Sequence, residues 1–278
     1  MYKNLLVNIP TERSPRPAID GAISLAASHK AQLDAVSVGY ETANLPLVAE
    51  GGAAVAAMFE VEREQALERA HASLAVFEAE ARRAGLIHSS RAVCALPGEA
   101  AAIVGAAARL YDLTIVEQPE FSRDTFDNNL AQEILFQSGG PVLFIPYTFK
   151  GTLKAKRVGI CWDGSRLAAR AVRDAMPLLE QASAITIITV NEDKDVPADA
   201  SAPHLVRYLA RLDVPTEISS VKTEQANTQS SILSLAADES LDLLVMGGYG
   251  HSRLKEMVFG GVTREMLQSM TVPTLMSH

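Results

Sequence analysis

The sequence DLLVMGGYGHSRLKEMVFGGVTREMLQSMTVPTLMS, residues 242–277, decides the fold prediction. An apolar run leads into three glycines, a polar segment follows, two more glycines interrupt it, and a second apolar run closes the stretch. Glycine inside a helix costs roughly 0.5–1 kcal/mol relative to alanine. These glycines therefore need a reason other than helix formation.

The chain contains a second stretch of the same kind, DLTIVEQPEFSRDTFDNNLAQEILFQSGGPVLFIP, at residues 112–146. Both stretches begin with Asp-Leu and an apolar run, carry Ser-Arg a few residues later, and end on a Pro-led apolar run. The openings of the two halves also match, KNLLVNIP at 3–10 with KRVGICWD at 156–163. The sequence therefore predicts an internal repeat.

Each half alternates strand-like runs rich in Val and Ile with helical patterns, which predicts a parallel sheet covered by helices on both faces. The predicted fold class is α/β, with two tandem, open, mostly parallel five-stranded sheets. The predicted domains are residues 1–149 and 156–278, joined by the polar linker at 147–156. Residues 41–62 are surplus in the first half and are predicted to form a loop that leads into a long helix.

The second half gives the clearer element pattern. Strands are predicted at 157–162, 184–190, 217–222, 242–247 and 273–276, and helices at 166–181, 201–212, 228–239 and 253–269.

Composition limits the function classes. Hydrophobic residues make up 48% and charged residues 21% of the 278 residues, which is typical of a globular protein. A formal net charge of −8 argues against general binding to nucleic acid or to an anionic membrane. No run is apolar enough for a spanning helix or a signal peptide, so a cytoplasmic protein is expected.

The titratable residues suggest neither a disulfide nor a metal site. Cys94 and Cys161 are the two cysteines, each within a strand-like run, and are interpreted as structural thiols. The histidines are scattered without the spacing of metal ligands, so no metal site is predicted.

The glycines are best explained by an anionic ligand. In an open parallel sheet, ligands bind outside the carboxyl ends of the strands, where the strand order reverses. Gly247, Gly248 and Gly250 follow the fourth strand, where positive φ and close backbone approach are both useful. If the next helix begins only near Val262, Gly260 and Gly261 precede a helix N-terminus, whose N–H groups favour phosphate. Neither a P-loop nor a G-x-G-x-x-G motif is present.

The spacing G-x2-G-x9-G, formed here by Gly247, Gly250 and Gly260, resembles the ATP-binding pattern of the universal stress protein family. The resemblance extends over both halves, so the chain is similar to a tandem universal stress protein. It implies a Rossmann-like fold of the adenine nucleotide alpha hydrolase-like type and an ATP-binding regulatory role in the stress response. Because the last strand of family members commonly pairs across a dimer, the resemblance also implies that PVLFIP and PTLMSH could pair with each other and make the chain an intramolecular pseudo-dimer.

The resemblance also implies a set of nucleotide-binding residues in the second half, with ATP as ligand, with or without Mg²⁺. Asp163 would accept hydrogen bonds from the ribose or the adenine edge, and Val190 would contact adenine through its backbone. The remaining residues would line the base, the ribose and the phosphates: Met246, Gly247, Gly250, His251, Gly260, Gly261, Val262 and Thr263. Gly261 departs from the family, which often has Ser or Thr there.

The first half departs further from the pattern. Pro10 takes the place of Asp163, while Glu117 and Glu120 take the places of Gly247 and Gly250. Two carboxylates would repel the phosphates, and the ribose acceptor is missing. The first half is therefore expected not to bind ATP in this way.

Several alternatives stay open at this point. Asp163, Gly164 and Ser165 could serve only as a helix cap, and His251 could contribute only its backbone. The glycines could be purely conformational. The protein could be a stress-tolerance scaffold, a binder of a non-nucleotide ligand, or a slow ATPase, although at most weak hydrolysis is expected because few catalytic groups converge. A homodimer is a further alternative.

Overall fold

The computed structural model describes residues 1–41, 52–191, 196–248 and 261–278. The described strands are β1 (Asn4–Ile9), β2 (Gln32–Tyr40), β3 (His88–Ala95), β4 (Leu113–Glu117), β5 (Val142–Ile145), β6 (Arg157–Cys161), β7 (Ala184–Val190), β8 (Thr216–Val221), β9 (Leu243–Gly247) and β10 (Thr274–Ser277). The described helices are α1 (Arg16–His29), α2 (Gly52–Arg83), α3 (Pro97–Ala108), α4 (Phe126–Gln137), α5 (Arg166–Asp174), α6 (Met176–Leu179), α7 (Ala202–Leu209), α8 (Thr228–Asp238) and α9 (Val262–Ser269).

All described strands belong to one sheet, in the order β3-β2-β1-β4-β5-β10-β9-β6-β7-β8. Pairing within each half is parallel, whereas β5 and β10 pair antiparallel, with Phe144 opposite Thr274. The predicted α/β fold and the pairing of the final strands are therefore confirmed. The two five-stranded sheets form one sheet through the seam between β5 and β10.

The core lies on both faces of this sheet. Alternation along the strands sends Leu5, Val7 and Ile9 of β1 to one face and Leu6 to the other. One apolar cluster collects residues of α1, α2, α5, α6 and α7, and the other collects residues of α3, α4, α8 and α9. Each cluster contains residues from both halves of the chain, so the halves share their hydrophobic core across the seam.

The other predicted elements of the second half are found close to their expected bounds, whereas of the helix predicted at 253–269 the structure describes Val262–Ser269, and residues 253–260 lie outside the described residues. The predicted helix at 166–181 is divided at Ala175, two residues before Pro177, which has no N–H to donate. The expected long helix is α2, but it begins at Gly52, so the prediction of a loop is wrong for residues 52–62, which form the first turns of this helix. Residues 42–51 lie outside the described residues. The domain limits, 1–149 and 156–278, remain predictions.

We searched the described helices for a membrane-spanning candidate. Across 1–41, 52–191, 196–248 and 261–278, none combines the length and the apolar character needed to cross a bilayer.

Candidate functional site

The strand order reverses in the second half at β6, which lies between β9 and β7. Ile160 is opposite Val245 on β9, and Cys161 is opposite Ile188 on β7. Neighbouring strands lie about 4.8 Å apart, so residues that follow these strands meet at one edge of the sheet. The topology therefore brings Asp163, Val190 and Gly247 to the crevice where open α/β sheets bind ligands.

Asp163 lies in the turn between β6 and α5, and its side chain is exposed at this edge. Its Oδ1 accepts a hydrogen bond of 2.9 Å from the Ser165 N–H. Gly164 has φ +72°, a conformation that residues with a Cβ rarely adopt. The N-cap of α5 is Ser165, whose Oγ accepts from the Ala168 N–H at 3.1 Å. The helix cap is thus a separate residue, and the Asp163 carboxylate remains accessible.

The second wall of the crevice is formed by the end of β7. Val190 is the last residue of this strand and is half-buried. Asn191 follows with φ +48°, and its side chain bonds the backbone of Thr223 through both Nδ2 and Oδ1. The chain direction after Val190 is therefore fixed by two side-chain hydrogen bonds.

The structure gives Gly247 a packing role that the sequence does not reveal. A Cβ added to Gly247 would lie 2.8 Å from the Ala168 nitrogen and from the Leu167 carbonyl carbon of α5. Positive φ is absent at both Gly247 and Gly248. The first turn of α5 therefore requires glycine at position 247 for packing, in addition to any contact with a ligand, and that contact remains a prediction.

The residues around Gly247 also fix the strand end. Met246 is only 5% exposed and packs in the core, so its side chain does not face the crevice. The Gly248 N–H donates to the Ser277 carbonyl at 2.9 Å, and Gly248 O lies 3.1 Å from His278 Nδ1. The backbone before residue 249 is thereby tied to the end of β10.

Helix α9 begins directly after Gly261, the last glycine of the motif. Gly261 is the N-cap of α9, with φ −104° and ψ 144°, and Val262 is its first residue. Thr263 is buried, with 5% of its surface exposed. The N–H groups of a first helical turn lack partners within the helix and favour an anion. Gly250, His251 and Gly260 lie outside the described residues.

The titratable groups near the crevice offer little chemistry. Burial raises the pKa of Cys161 to about 12, with a smaller contribution from Asp163, so this thiol stays protonated at neutral pH. Cys94 is likewise a free thiol. Within the described part of the chain, no three His, Cys, Asp or Glu residues form a group that could hold a metal ion.

The corresponding crevice of the first half is occupied by its own side chains. Glu117 ends β4, and its Oε1 lies 3.3 Å from Arg13 Nε, with both side chains 3% exposed. Arg13 also donates to the backbone carbonyls of Glu117 at 3.3 Å and Gln118 at 2.6 Å. Burial raises the pKa of Glu117 to about 8, although the Arg13 guanidinium opposes this shift.

The loop after β1 is tied to α4 and closes the same crevice. The Asp127 carboxylate accepts hydrogen bonds from Thr11 N–H, Glu12 N–H and Tyr40 Oη at 2.9–3.1 Å. In return, the Glu12 carboxylate accepts from the Phe126 N–H at 2.6 Å, at the N-terminus of α4. A protein carboxylate thus occupies the helix N-terminus where an anionic ligand could otherwise bind.

Glu117 and Glu120 were predicted in this crevice from the sequence, whereas Arg13, Asp127 and Tyr40 were not. Glu120 pairs with Arg123 at 3.3 Å. An arginine three residues after Pro10, close to the end of a buried strand, was the available signal for a partner of Glu117. The sequence separation of these groups, 105 residues between Arg13 and Gln118, concealed their contact.

We compared the chain with known proteins. A model of the universal stress protein family matches residues 154–278. The second half of the chain therefore contains a universal stress protein domain. Its matched region contains the crevice between β6 and β9, and the first half lies outside the match. The universal stress protein Slr1230 of Synechocystis sp. is 26% identical over 167 residues, which cover 57% of this chain and 54% of that protein. The chain thus spans about half the length of this relative.

Solved universal stress proteins share the fold along the whole chain. One from Archaeoglobus fulgidus aligns with a TM-score of 0.72 at 14% identity, covering 98% of this chain and 95% of its own. A putative one from Pseudomonas aeruginosa aligns with a TM-score of 0.56 at 14% identity, covering 99% and 93%. A universal stress protein in complex with cAMP is 19% identical over 52% of this chain and 97% of its own, with a TM-score of 0.37. The bound cAMP is a finding about that protein.

Proposed function

We propose that this protein is an ATP-binding regulatory protein of the stress response, with one nucleotide site in its second half. The observation that carries the proposal is the contrast between the two crevices. The second half has an exposed Asp163 after β6 and a helix N-terminus at Val262 that follows the glycines, whereas buried Arg13 and Glu117 occupy the first-half crevice. The proposed ligand residues are those predicted from the sequence, with Met246 and Gly247 acting through their backbones.

The proposed mode of action is binding rather than turnover. Hydrolysis requires a positioned water, a base and usually a metal that stabilises the developing charge. Among the described residues of the crevice, Asp163 is the one exposed carboxylate that the predicted site contributes. We therefore propose that ATP, with or without Mg²⁺, biases the conformation or the choice of partner of a cytoplasmic protein.

Equilibrium binding of ATP to the purified full chain tests this function. Asp163→Ala removes a charged acceptor, and such hydrogen bonds contribute roughly 1.5–3 kcal/mol, so the Kd should rise at least about tenfold. Asp238→Ala is the matched control, because it removes an exposed carboxylate at the far end of α8. We expect Asp238→Ala to bind ATP like the unsubstituted protein.

Two outcomes would contradict the proposed function. The first is the absence of detectable ATP binding to the unsubstituted chain at millimolar nucleotide. The second is equal loss of affinity in Asp163→Ala and Asp238→Ala, because this would make the effect one of net charge rather than of the crevice.

A second candidate function is the binding of a non-nucleotide ligand in the first half. An open cavity of about 470 Å³ lies between α2 and β3. Phe59, Leu67 and Ala92 provide its apolar surface, and Glu41, Glu60 and Arg63 its charged rim. This combination favours a small amphipathic molecule. Native mass spectrometry of the purified protein tests it, since one nucleotide per chain and no other ligand would count against this function.

A further inference from the structure

The two halves are joined by a hydrogen bond at the end of α9. Gln118 follows β4 in the first half and is 1% exposed. Its Nε2 donates to the carbonyl of Leu267 at 2.9 Å, across 149 residues of sequence. Leu267 lies in the last turn of α9, where the carbonyls have no partner within the helix. The first half therefore supplies a C-terminal cap to a helix of the second half.

Gln118 is itself held in place by its surroundings. Arg13 donates to the Gln118 carbonyl at 2.6 Å, and Arg13 is in turn paired with Glu117. The Gln118 Oε1 accepts from the Tyr147 N–H at 3.4 Å. The Gln118 backbone is thus fixed by Arg13 of the first-half crevice, and its side-chain amide by the Tyr147 N–H that follows β5.

The position of α9 depends strongly on its last turn because the helix is short. It has eight residues, so its two ends are about 12 Å apart. A hydrogen bond at Leu267 therefore restricts the placement of Val262 and Thr263 at the other end. The first half also approaches Gly248, since a Cβ added there would lie 3.0 Å from Leu135 of α4.

We propose that Gln118 is a positioning residue for the nucleotide site of the second half. It holds α9 so that the N–H groups of its first turn face the phosphates of ATP. The inference rests on the proposed function and adds a role for the first half. A residue beside the first-half crevice, Gln118, fixes the position of the helix that binds phosphate in the second half.

The test compares ATP affinity in full-length variants at a temperature well below unfolding. Gln118→Met removes the donor at nearly constant volume, and Gln118→Glu removes the donor but keeps an acceptor for Tyr147. A neutral hydrogen bond contributes about 1 kcal/mol, so we expect the ATP Kd to rise roughly three- to tenfold in both. Ser24→Ala is the matched control, because it removes the 2.9 Å bond from the Leu153 N–H without touching α9.

Two further measurements separate positioning from a general loss of stability. In a double-mutant cycle with Thr263→Val, positioning through α9 predicts a combined loss of affinity smaller than the product of the single losses. Hydrogen exchange of residues 262–270 in the unliganded protein should be faster in Gln118→Met than in Ser24→Ala.

The outcomes separate the inference from the proposed function. If the unsubstituted protein binds ATP and both Gln118 variants bind it equally well, the inference is overturned and the proposed function stands. Unchanged exchange in residues 262–270, or fully multiplicative losses with Thr263→Val, would also overturn it. If the unsubstituted protein binds no ATP, both proposals fail.

Discussion

Glu117 is the residue at which the two halves differ most in chemistry. It takes the sequence position of Gly247, and its carboxylate is 3.3 Å from Arg13 in a site from which water is excluded. Removing a charge from water costs several kcal/mol, and a buried pair offsets this only with good geometry. This explains why burial outweighs Arg13 and raises the pKa of Glu117, with Asp127 and Glu120 adding to the shift.

The raised pKa of Glu117 predicts a pH dependence of stability. The pKa rises from its ordinary value of 4.5 to about 8 in the folded protein. Between these values the folded state binds the proton that the unfolded state has released, so the free energy of unfolding falls as pH rises. Glu117→Gln removes this dependence, which amounts to at most about 1.4 kcal/mol per pH unit.

Urea unfolding of the unsubstituted protein and of Glu117→Gln, at pH values from 5 to 8 in steps of about one unit, measures the difference in their free energies of unfolding. The stability of the unsubstituted protein relative to Glu117→Gln should decrease steadily as pH rises. Glu120→Gln removes a more exposed carboxylate of the same crevice and controls for the change in net charge. A constant difference between the protein and Glu117→Gln across this range would contradict the prediction.

At the scale of elements, the close contact between β9 and α5 explains why position 247 must be glycine. Gly247 ends β9 against the backbone of Leu167 and Ala168, which cannot move without displacing the first turn of α5. Gly248 instead faces the end of the flexible Leu135 side chain at 3.0 Å. Two adjacent glycines of one motif thus differ in what surrounds them.

Gly247→Ala should therefore destabilise the nucleotide-free protein by about 1–3 kcal/mol, the usual cost of overpacking. Gly248→Ala is the matched control and should cost less, since the Leu135 side chain can adjust. Thermal unfolding without nucleotide measures both. Equal stability of Gly247→Ala and the unsubstituted protein would contradict the packing role of Gly247 and leave ligand binding as the reason for this glycine.

At the scale of the whole molecule, the seam between β5 and β10 joins the two halves. Phe144 of β5 is fully buried opposite Thr274 of β10, in a core cluster that contains residues from both halves. Because the two apolar clusters extend across the seam, we expect both halves to unfold in one transition.

Phe144→Ala tests this cooperativity with the single tryptophan, Trp162, as reporter of the second half. Removal of a buried Phe side chain costs about 3–5 kcal/mol. The unfolding transitions followed by Trp162 fluorescence and by far-UV circular dichroism should move together to lower denaturant. Phe59→Ala, at a 40% exposed position, should leave both nearly unchanged. An unaltered Trp162 transition in Phe144→Ala would show that the halves unfold independently.

The sequence by itself determined the repeat, the alternation of strands and helices, and the pairing partner of the last strands. The repeat and the alternation depend on local periodicity, so the elements between residues 157 and 190 were predicted closely. The pairing of the last strands was instead implied by the resemblance to the family, and the predicted start of the last helix at residue 253 lies outside the described residues. The glycine spacing also predicted a site at the ends of β6 and β9, two strands that the topology makes neighbours.

Only the tertiary structure decided which side chains fill the first-half crevice and how that half contacts the second. The pairing of Arg13 with Glu117, the capping of Leu267 by Gln118 and the packing of α5 on Gly247 join residues about 80 to 149 positions apart. Such contacts depend on the order of strands and on the packing of helices, which the local pattern does not encode. The physical reason is burial: a carboxylate that would be solvated in an open loop becomes, under α1 and beside Arg13, part of the protein's own core.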